Sequence, residues 1–357
     1  ILKIKILIGH LTELKRVTSR KSFLFYILIS FLVFTKNSEL KATESTNIIE
    51  EEFDSRNLKN FFSFSASVCS SKKFFSNILN HSSYPKFGSL DAWKKVCKKF
   101  SSLEHPTLKF IKENFSIKQV SLKRGLLTGY YEPTIKISKE KSVKFKYPIL
   151  KYNKIYIGLT RKQIELNYKK KDALLWTDSK IDLFFLQIQG SGIGVFENKT
   201  KIKISYSGNN EIKYRSIGKF LIKKNFISRK NVNLFTIKKF LNQSEEKVID
   251  KILNYNERYI FFKIDNNVKE FAKGALGMQL KPMVSIAVDK KYYPLGILML
   301  LKPKDEKPFL AIASDVGSAI KGSNRADIYT GRGKKAEEIA GKLKKKLLLY
   351  TLVPYSE

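Results

Sequence analysis

The chain has 357 residues, enough for two domains or for one domain with an insertion. Its hydrophobic content of 43% is ordinary for a globular protein, but its formal net charge of +36 at pH 7 suits a polyanionic partner. We predict no nucleic-acid partner, because the basic residues are mostly scattered Lys rather than Arg, the residue that pairs with bases and phosphates through two hydrogen bonds. Frequent Lys, Ile, Asn and Phe together are typical of the coding bias of an AT-rich genome.

The first 42 residues predict an export segment. Lys15-Arg16 and Arg20-Lys21 precede the apolar run Ser22–Phe34. This order is typical of a signal peptide, and the run is short for a membrane-spanning helix. An uncleaved N-terminal anchor is the alternative. No Cys directly follows the apolar run, so the sequence predicts no lipid anchor at this position.

Helical patterns alternate with other segments along the rest of the chain. Residues 43–60 are polar and predict a linker. Residues 61–117 and 212–254 predict largely helical segments, and residues 336–348 predict a basic C-terminal helix. The apolar residues at helical spacing are Trp93, Val96, Cys97 and Phe100 in the first segment and Ile217, Phe220 and Leu221 in the second.

Strand patterns begin at Gly125. The predicted strands include Leu126–Tyr131, Lys203–Tyr206, Tyr259–Lys263 and further strands up to Ile328. The apolar run Phe184–Gln189 also predicts a strand, which leads into Gly190-Ser191-Gly192. The Gly-Ser-Gly segment would let a ligand approach the backbone, and an ordinary turn is the alternative interpretation.

Three aspartates lie next to apolar runs in the last third of the chain. Asp289 ends the run Val284–Val288, Asp315 follows Ala311-Ile312-Ala313, and Asp327 follows a loop of small residues. A carboxylate beside a buried strand is costly unless it is hydrogen-bonded or takes part in chemistry. For any one of them a turn cap is the simpler interpretation. Three aspartates in one region that is rich in glycine favour a ligand site.

This region resembles the three-aspartate segment of the membrane-bound lytic transglycosylase A family, whose members cleave murein. The resemblance lies in Ala287-Val288-Asp289, Pro294-Leu295-Gly296, Asp315–Gly322 and Arg325–Tyr329. Upstream it lies in Thr128–Pro133 and Phe184–Gly192, with weaker similarity at Leu159-Thr160-Arg161, Tyr214–Gly218 and Tyr259–Phe262. These motifs follow one another in the family's order and span most of the chain after Pro85.

The resemblance implies a mainly β fold with flanking helices, in which a double-psi β-barrel domain carries an inserted second β-rich domain. The barrel domain would be split between residues 61–133 and 256–357. Residues 134–255 would form the insertion and the other wall of a glycan groove, because ligands commonly bind at domain junctions.

The resemblance also implies the chemistry. Asp327 would act as acid and base in cleaving the β-1,4 bond between N-acetylmuramic acid and N-acetylglucosamine, leaving a 1,6-anhydromuramyl product. Asp315, as a neighbouring carboxylate, would help to raise the pKa of Asp327 or orient the loop. We expect Asp289 to be structural rather than catalytic.

Several further residues are candidates for contacts with substrate. Tyrosines would stack on sugar rings, glutamines would bond acetamido groups, and basic residues would meet murein carboxylates. These candidates are Tyr130, Tyr131, Glu132, Gln187, Gln189, Gly190, Ser191, Gly192, Lys321 and Arg325. One of the two tyrosines should point into the core by strand alternation, and Glu132 before Pro133 would serve equally well as a structural contact. The chain departs from the family at Val284 and Ile193, where members often carry Arg.

The sequence predicts neither a metal site nor a cofactor. Cys69 and Cys97 are not in a metal-binding motif, and the three histidines are scattered. In an oxidising compartment the two cysteines would be able to pair, which sequence alone leaves open. The resemblance implies export through the inner membrane to the periplasm, with peptidoglycan glycan strands as partner, and leaves association with the outer membrane and the oligomeric state open. The competing hypothesis is a murein-binding protein on the same barrel without catalysis.

Overall fold

The computed structural model describes residue 48, residues 50–103 and residues 107–356. The chain divides into two compact units, Ile1–Glu52 and Phe53–Glu357. The export segment predicted in residues 1–42 lies outside the described residues. Within the part of the chain that the structure describes, no helix is both long and apolar enough to cross a membrane.

Four helices open the second unit. They are α1 (Ser55–Cys69), α2 (Lys72–Leu79), α3 (Leu90–Ser101) and α4 (Leu108–Asn114). The predicted linker ends earlier than residue 60, because Asp54 caps α1 by accepting a hydrogen bond from the Asn57 amide (2.8 Å). The helical prediction for residues 61–117 is confirmed up to Asn114.

The predicted apolar stripe of α3 is buried and packs against α1. Trp93, Val96, Cys97 and Phe100 are each at most 6% exposed. Cys69 at the end of α1 forms a disulfide with Cys97 of α3. The pairing that sequence left open therefore joins two helices that already share a core.

Seven strands form the first sheet. They are β1 (Phe115–Gln119), β2 (Gly125–Glu132), β9 (Ser285–Val288), β10 (Leu298–Pro303), β11 (Phe309–Val316), β12 (Arg325–Arg332) and β13 (Lys344–Pro354). Their order is β1-β13-β10-β11-β9-β12-β2, and β13 also pairs with β2. Six strands thus return on themselves in a closed series of pairings, and β1 is added to the outside of β13.

Six strands form the second sheet, in the order β4-β5-β3-β6-β7-β8. They are β3 (Thr134–Ser138), β4 (Tyr147–Leu150), β5 (Ala173–Thr177), β6 (Gly192–Val195), β7 (Lys201–Asn209) and β8 (Ile260–Asp265). Strand β8 pairs with β7 along its whole length. The second sheet therefore extends past the boundary predicted at residue 255.

Five helices accompany the second sheet. They are α5 (Arg161–Asn167), α6 (Lys180–Gln189), α7 (Ile217–Lys223), α8 (Leu234–Asn242) and α9 (Glu246–Tyr255). The prediction of helices within residues 212–254 is confirmed. Ile217 and Leu221 are buried, and Phe220 packs against the same core cluster.

The strand predicted at Phe184–Gln189 is wrong, because these residues lie in helix α6. Ser179 caps the helix by accepting from the Asp182 amide (3.1 Å), and Gly190 ends it in a left-handed conformation with φ 86°. The run is apolar on nearly all sides because α6 packs between two core clusters. Burial on all sides removes the periodicity that separates a helix from a strand.

The predicted C-terminal helix is correct only in its first part. Helix α10 covers Lys334–Lys342, and the chain enters β13 at Lys344. Residues 344–347 pair with β2, and residues 347–351 pair with β10. The lysines at the start of β13 obscured the alternation that buries Leu347 and Leu349.

Candidate active site

A cleft of about 580 Å³ lies between the two sheets. One wall comes from β2, β12 and the loop after β11, and the other comes from β7, β8 and the end of α6. The segment that joins β8 to β9 lines it as well, through Ala272–Ala275 and Leu280. The volume is in the range of small-molecule binding sites.

Asp327 lies on β12 between Thr128 of β2 and Ala287 of β9. Its Oδ1 accepts a hydrogen bond from the Thr128 hydroxyl, and that hydroxyl oxygen accepts from Arg325 Nη2 (2.6 Å). Burial raises the pKa of Asp327, while Arg325 and the Thr128 hydrogen bond oppose the rise. The half-buried carboxyl group therefore keeps its proton to a higher pH than an exposed aspartate does.

Asp315 lies at the end of β11 and lines the same cleft. Its Oδ2 accepts from the Tyr130 hydroxyl (2.9 Å), and its Oδ1 accepts from the Ala275 amide (3.0 Å). Burial raises the pKa of Asp315; backbone hydrogen bonds from Val316 and Ala275 and the Tyr130 hydroxyl oppose the rise, and the charge of Asp327 adds to it. Burial and the neighbouring Asp315 also raise the pKa of Tyr130.

Asp289 has a different environment, because it is not among the residues that line this cleft. Its carboxylate accepts from the Gly322 amide (2.8 Å) and the Lys291 amide (3.2 Å). These bonds hold the turn after β9 against the loop before β12, which supports the structural expectation for this residue.

Most of the predicted substrate contacts line the cleft. They are Tyr130, Tyr131, Glu132, Gln187, Gln189, Gly190 and Ser191. Gly192, Lys321 and Arg325 do not line it: Gly192 begins β6 against Leu186 and Pro133, Lys321 is exposed, and Arg325 bonds Thr128 beneath Asp327.

Several of these side chains already have protein partners. Glu132 is 1% exposed, and its Oε2 accepts from Arg332 (2.8 and 3.1 Å) and from Tyr329 (2.9 Å). Gln189 accepts from the Tyr131 amide (3.1 Å), and Gln187 is 3% exposed and accepts from Arg161. These residues therefore hold the walls of the cleft together.

The two tyrosines of the β2 motif differ in burial, as strand alternation predicts. Tyr131 is 2% exposed, packs against α10, and donates to Glu337 (2.8 Å). Tyr130 is partly exposed and packs on Tyr329 with ring centroids 5.4 Å apart. Tyr130 is thus the better placed of the two to meet a ligand.

Sequence reasoning missed several residues of the cleft. They are Arg161, Lys203, Ser205, Tyr206, Tyr214, Arg258, Lys263 and the segment Ala272–Ala275. Arg161 and Tyr214 lie within motifs that carry the family resemblance, and that is a usable signal. Of the others, Lys203, Ser205 and Tyr206 lie on β7 and Lys263 lies on β8, and the tertiary fold brings them to the cleft. The two departures from the family, Val284 and Ile193, are buried.

Two family models match the chain, one over most of β2 and the second sheet and one over the later strands of the first sheet. A family model described as the MltA specific insert domain matches residues 126–263, and one described as the 3D domain matches residues 284–353. A membrane-bound lytic murein transglycosylase A homolog of Buchnera aphidicola subsp. Schizaphis graminum is 30% identical over 356 residues, covering 92% of this chain and 95% of the relative.

The chain belongs to the MltA family of lytic murein transglycosylases. The membrane-bound lytic murein transglycosylase A of Vibrio cholerae is 32% identical over 61% of this chain, and that alignment spans 62% of the relative. Thus the chain spans less than two thirds of the length of this MltA relative.

Solved MltA structures share the fold. The membrane-bound lytic murein transglycosylase of Agrobacterium tumefaciens has a TM-score of 0.70 at 23% identity, over 84% of this chain and 93% of that one. E. coli MltA with bound chitohexaose has a TM-score of 0.65 at 24% identity, over 82% and 90%. At this identity the likeness concerns the fold.

Proposed function

We propose that this protein is a murein lytic transglycosylase that cleaves the β-1,4 bond between N-acetylmuramic acid and N-acetylglucosamine. The observation that carries the proposal is the half-buried Asp327 carboxyl group, which lines the cleft and has a raised pKa. An acid catalyst has to hold its proton near the working pH, and a carboxyl group does so only in such an environment. The membership in the MltA family supplies the substrate class.

In the proposed reaction Asp327 donates its proton to the glycosidic oxygen, and the bond between that oxygen and C1 of the muramyl residue breaks. The C6 hydroxyl of the same muramyl residue attacks C1 and passes its proton to the Asp327 carboxylate. This gives a 1,6-anhydro ring and returns the aspartate to its protonated form. Attack by a tethered hydroxyl gains the advantage of an intramolecular reaction, so a single carboxyl group can serve as acid and then as base.

We assign Asp315 a supporting role beside Asp327. Tyr130 and the Ala275 amide fix its carboxylate in the cleft. Their hydrogen bonds oppose the effect of burial, so Asp315 loses its proton more readily than burial alone would allow. A charged Asp315 would stabilise positive charge on the sugar ring in the transition state.

We propose that the glycan strand lies in the cleft, with Tyr130, Gln189 and the backbone around Gly190-Ser191 as the contacts closest to solvent. The cleft volume and its mixed lining of aromatic, amide and basic groups support this position. The closed series of six strand pairings supports a double-psi β-barrel as the framework that carries Asp327. The disulfide between Cys69 and Cys97 supports export to the periplasm, because disulfides persist in oxidising compartments.

Digestion of purified murein tests the proposal. Mass spectrometry of the soluble products should find muropeptides that end in 1,6-anhydro-N-acetylmuramic acid. Products that end in reducing sugars would identify a hydrolase and contradict the mechanism. Binding to murein without any release would favour a non-catalytic binding protein.

A further inference from the structure

The segment of residues 266–284 crosses from the second sheet to the first and lines the cleft on its way. It begins after β8 and ends at β9. We call it the crossing segment. Its turn is closed by the Gly274 amide, which donates to Met278 O (2.9 Å), and by the Leu280 amide, which donates to Ala272 O (2.8 Å). The Ala275 amide at this turn donates to Asp315 (3.0 Å).

Lys203 of the second sheet holds the crossing segment from one side. Its side chain is 2% exposed, and Nζ donates to Glu270 O (3.1 Å) and Phe271 O (2.7 Å). No described carboxylate forms an ion pair with it. A buried ammonium group is costly, so its two backbone acceptors have to stay in place.

Arg332 of the first sheet holds the same stretch from the other side. Its Nη1 donates to Val268 O (2.6 Å) and its Nη2 to Glu270 O (2.8 Å), while Glu132 accepts from the same guanidinium group. The guanidinium also lies over the Phe271 ring at 5.3 Å. A planar group with five fixed donors suits such a set of converging acceptors.

The carbonyl oxygen of Glu270 is the common point of these contacts, because it accepts from both cations. Lys203 and Arg332 come from different sheets, and each sheet forms one wall of the cleft. The held stretch, Val268–Phe271, lies a few residues before the Ala275 amide that bonds Asp315. Moving it would change both the position of that amide and the width of the cleft.

We propose that Lys203 and Arg332 are positioning residues, which clamp the crossing segment so that Ala275 holds Asp315 in its catalytic position. The role rests on the proposed function and goes beyond it, since neither side chain has to touch the reacting atoms. Without the clamp Asp315 loses a donor that lowers its pKa, so the pKa of Asp315 rises further. The acidic limb of the rate profile, where Asp315 has to ionise, then moves to higher pH.

The first test compares Lys203→Met with Lys201→Met, an exposed lysine on the same strand. Deuterium exchange of peptides that cover residues 268–280 should be faster in Lys203→Met and unchanged in Lys201→Met. Turnover on murein should fall about 10²-fold, the scale of a small misplacement in a catalytic site, with a smaller change in KM. Lys203→Arg, which keeps a cationic donor, should restore part of the activity.

The outcomes separate the clamp from the proposed function. Exchange does not depend on cleavage, so faster exchange in Lys203→Met supports the clamp even if no anhydro product is found. A folded Lys203→Met protein with wild-type exchange, turnover and pH profile would overturn the proposal. If Lys203→Met does not fold, Arg332→Lys serves instead. Arg332→Lys keeps a positive charge beside Glu132, but its ammonium group cannot reach both the Val268 and the Glu270 carbonyl oxygens. Wild-type deuterium exchange in that variant would also overturn the proposal.

Discussion

Asp327 and Asp315 lie in the same cleft but have different hydrogen-bond partners. Asp327 accepts from the hydroxyl of Thr128, which is held by Arg325, and Asp315 accepts from Tyr130 and from a backbone amide. Burial raises the pKa of both. Asp315 has more donors, and the charge of Asp327 adds to the rise of its pKa, so the two carboxyl groups are coupled in one site.

Asp327→Asn should lose almost all turnover, because an amide cannot deliver a carboxyl proton. General acid–base catalysis is worth about 10²–10⁴ in rate, so a loss of that size is expected in murein digestion. Sedimentation with insoluble murein should show nearly unchanged binding. Asp289→Asn is the matched control, since its carboxylate bonds a turn, and it should lower the melting temperature rather than turnover. Full activity in Asp327→Asn would refute the assignment.

The same variant should change the dependence of stability on pH. A carboxyl group with a raised folded pKa costs the fold stability as the pH rises from the unfolded pKa to the folded pKa, and the cost is complete above the folded pKa. Below the unfolded pKa of about 3.9 the group is protonated in both states, and the cost vanishes. Asp327→Asn should therefore raise the melting temperature at neutral pH and leave it nearly unchanged at about pH 3.

Arg325→Gln should move the alkaline limb of the rate profile to higher pH. The Arg325 charge lowers the pKa of Asp327, so its removal lets Asp327 keep its proton longer. The pH dependence of kcat/KM measures this shift. Arg124→Gln, the same substitution at an exposed arginine before β2, should leave the limb in place. A limb that moves to lower pH, or equally in both variants, would contradict the coupling of Arg325 to Asp327.

The loop between β9 and β10 shows how the helical layer meets the first sheet. Gly296 in this loop has φ 102°, and a Cβ built there would lie 2.3 Å from the ring of Phe74 on α2. Its amide donates to Ala313 O (2.7 Å), in the strand that leads to Asp315. The close approach of α2 therefore depends on a residue without a side chain.

Gly296→Ala should destabilise the fold more than Gly158→Ala does. Both glycines have positive φ, so each substitution carries a conformational cost of about 1–2 kcal/mol. Only Gly296 has a neighbour within contact distance of the added methyl group, and such overpacking typically costs about 1–3 kcal/mol more. Chemical denaturation gives the free energies of unfolding. Equal losses of unfolding free energy in the two variants would show that the Phe74 ring moves aside without an energetic penalty.

The two sheets are joined by few crossings of the chain, and the cleft lies between them. The chain passes from β2 of the first sheet to β3 of the second at Pro133, and it returns through the crossing segment. A hydrogen bond between Tyr131 and Gln189 also joins the two walls. Further hydrogen bonds tie the crossing segment to Lys203 and Arg332. The position of each carboxyl group is thus a property of both sheets together.

Export of the full chain is expected to decide whether its disulfide forms. Expressed in a bacterial host, the protein should appear outside the inner membrane with Cys69 and Cys97 joined, because the cytoplasm keeps thiols reduced. Thiol labelling of fractionated cells measures this. A variant that lacks residues 1–42 should stay inside with both thiols free. Full-length protein found reduced and cytoplasmic would contradict both the export segment and the access to murein.

Elements whose signals are local could be predicted from the amino-acid sequence. The stripe of α3, the strand at Leu126–Tyr131 and the apolar runs before Asp289 and Asp315 were predicted correctly, because spacing, caps and turn residues act over a few positions. The motifs of the MltA family also placed Asp315 and Asp327 among the candidates. Such local patterns can be recognised without knowing which residues pack against them.

Other features depend on contacts between residues that are distant in sequence. Phe184–Gln189 is a helix and Lys344–Leu348 a strand because of what packs or pairs with each of them, and that is a long-range effect. Lys203, Arg332 and Ala275 meet around Glu270 and Asp315 through contacts that are distant in sequence. Burial raises the pKa values of the two aspartates, and burial results from bringing the two sheets together rather than from any local pattern.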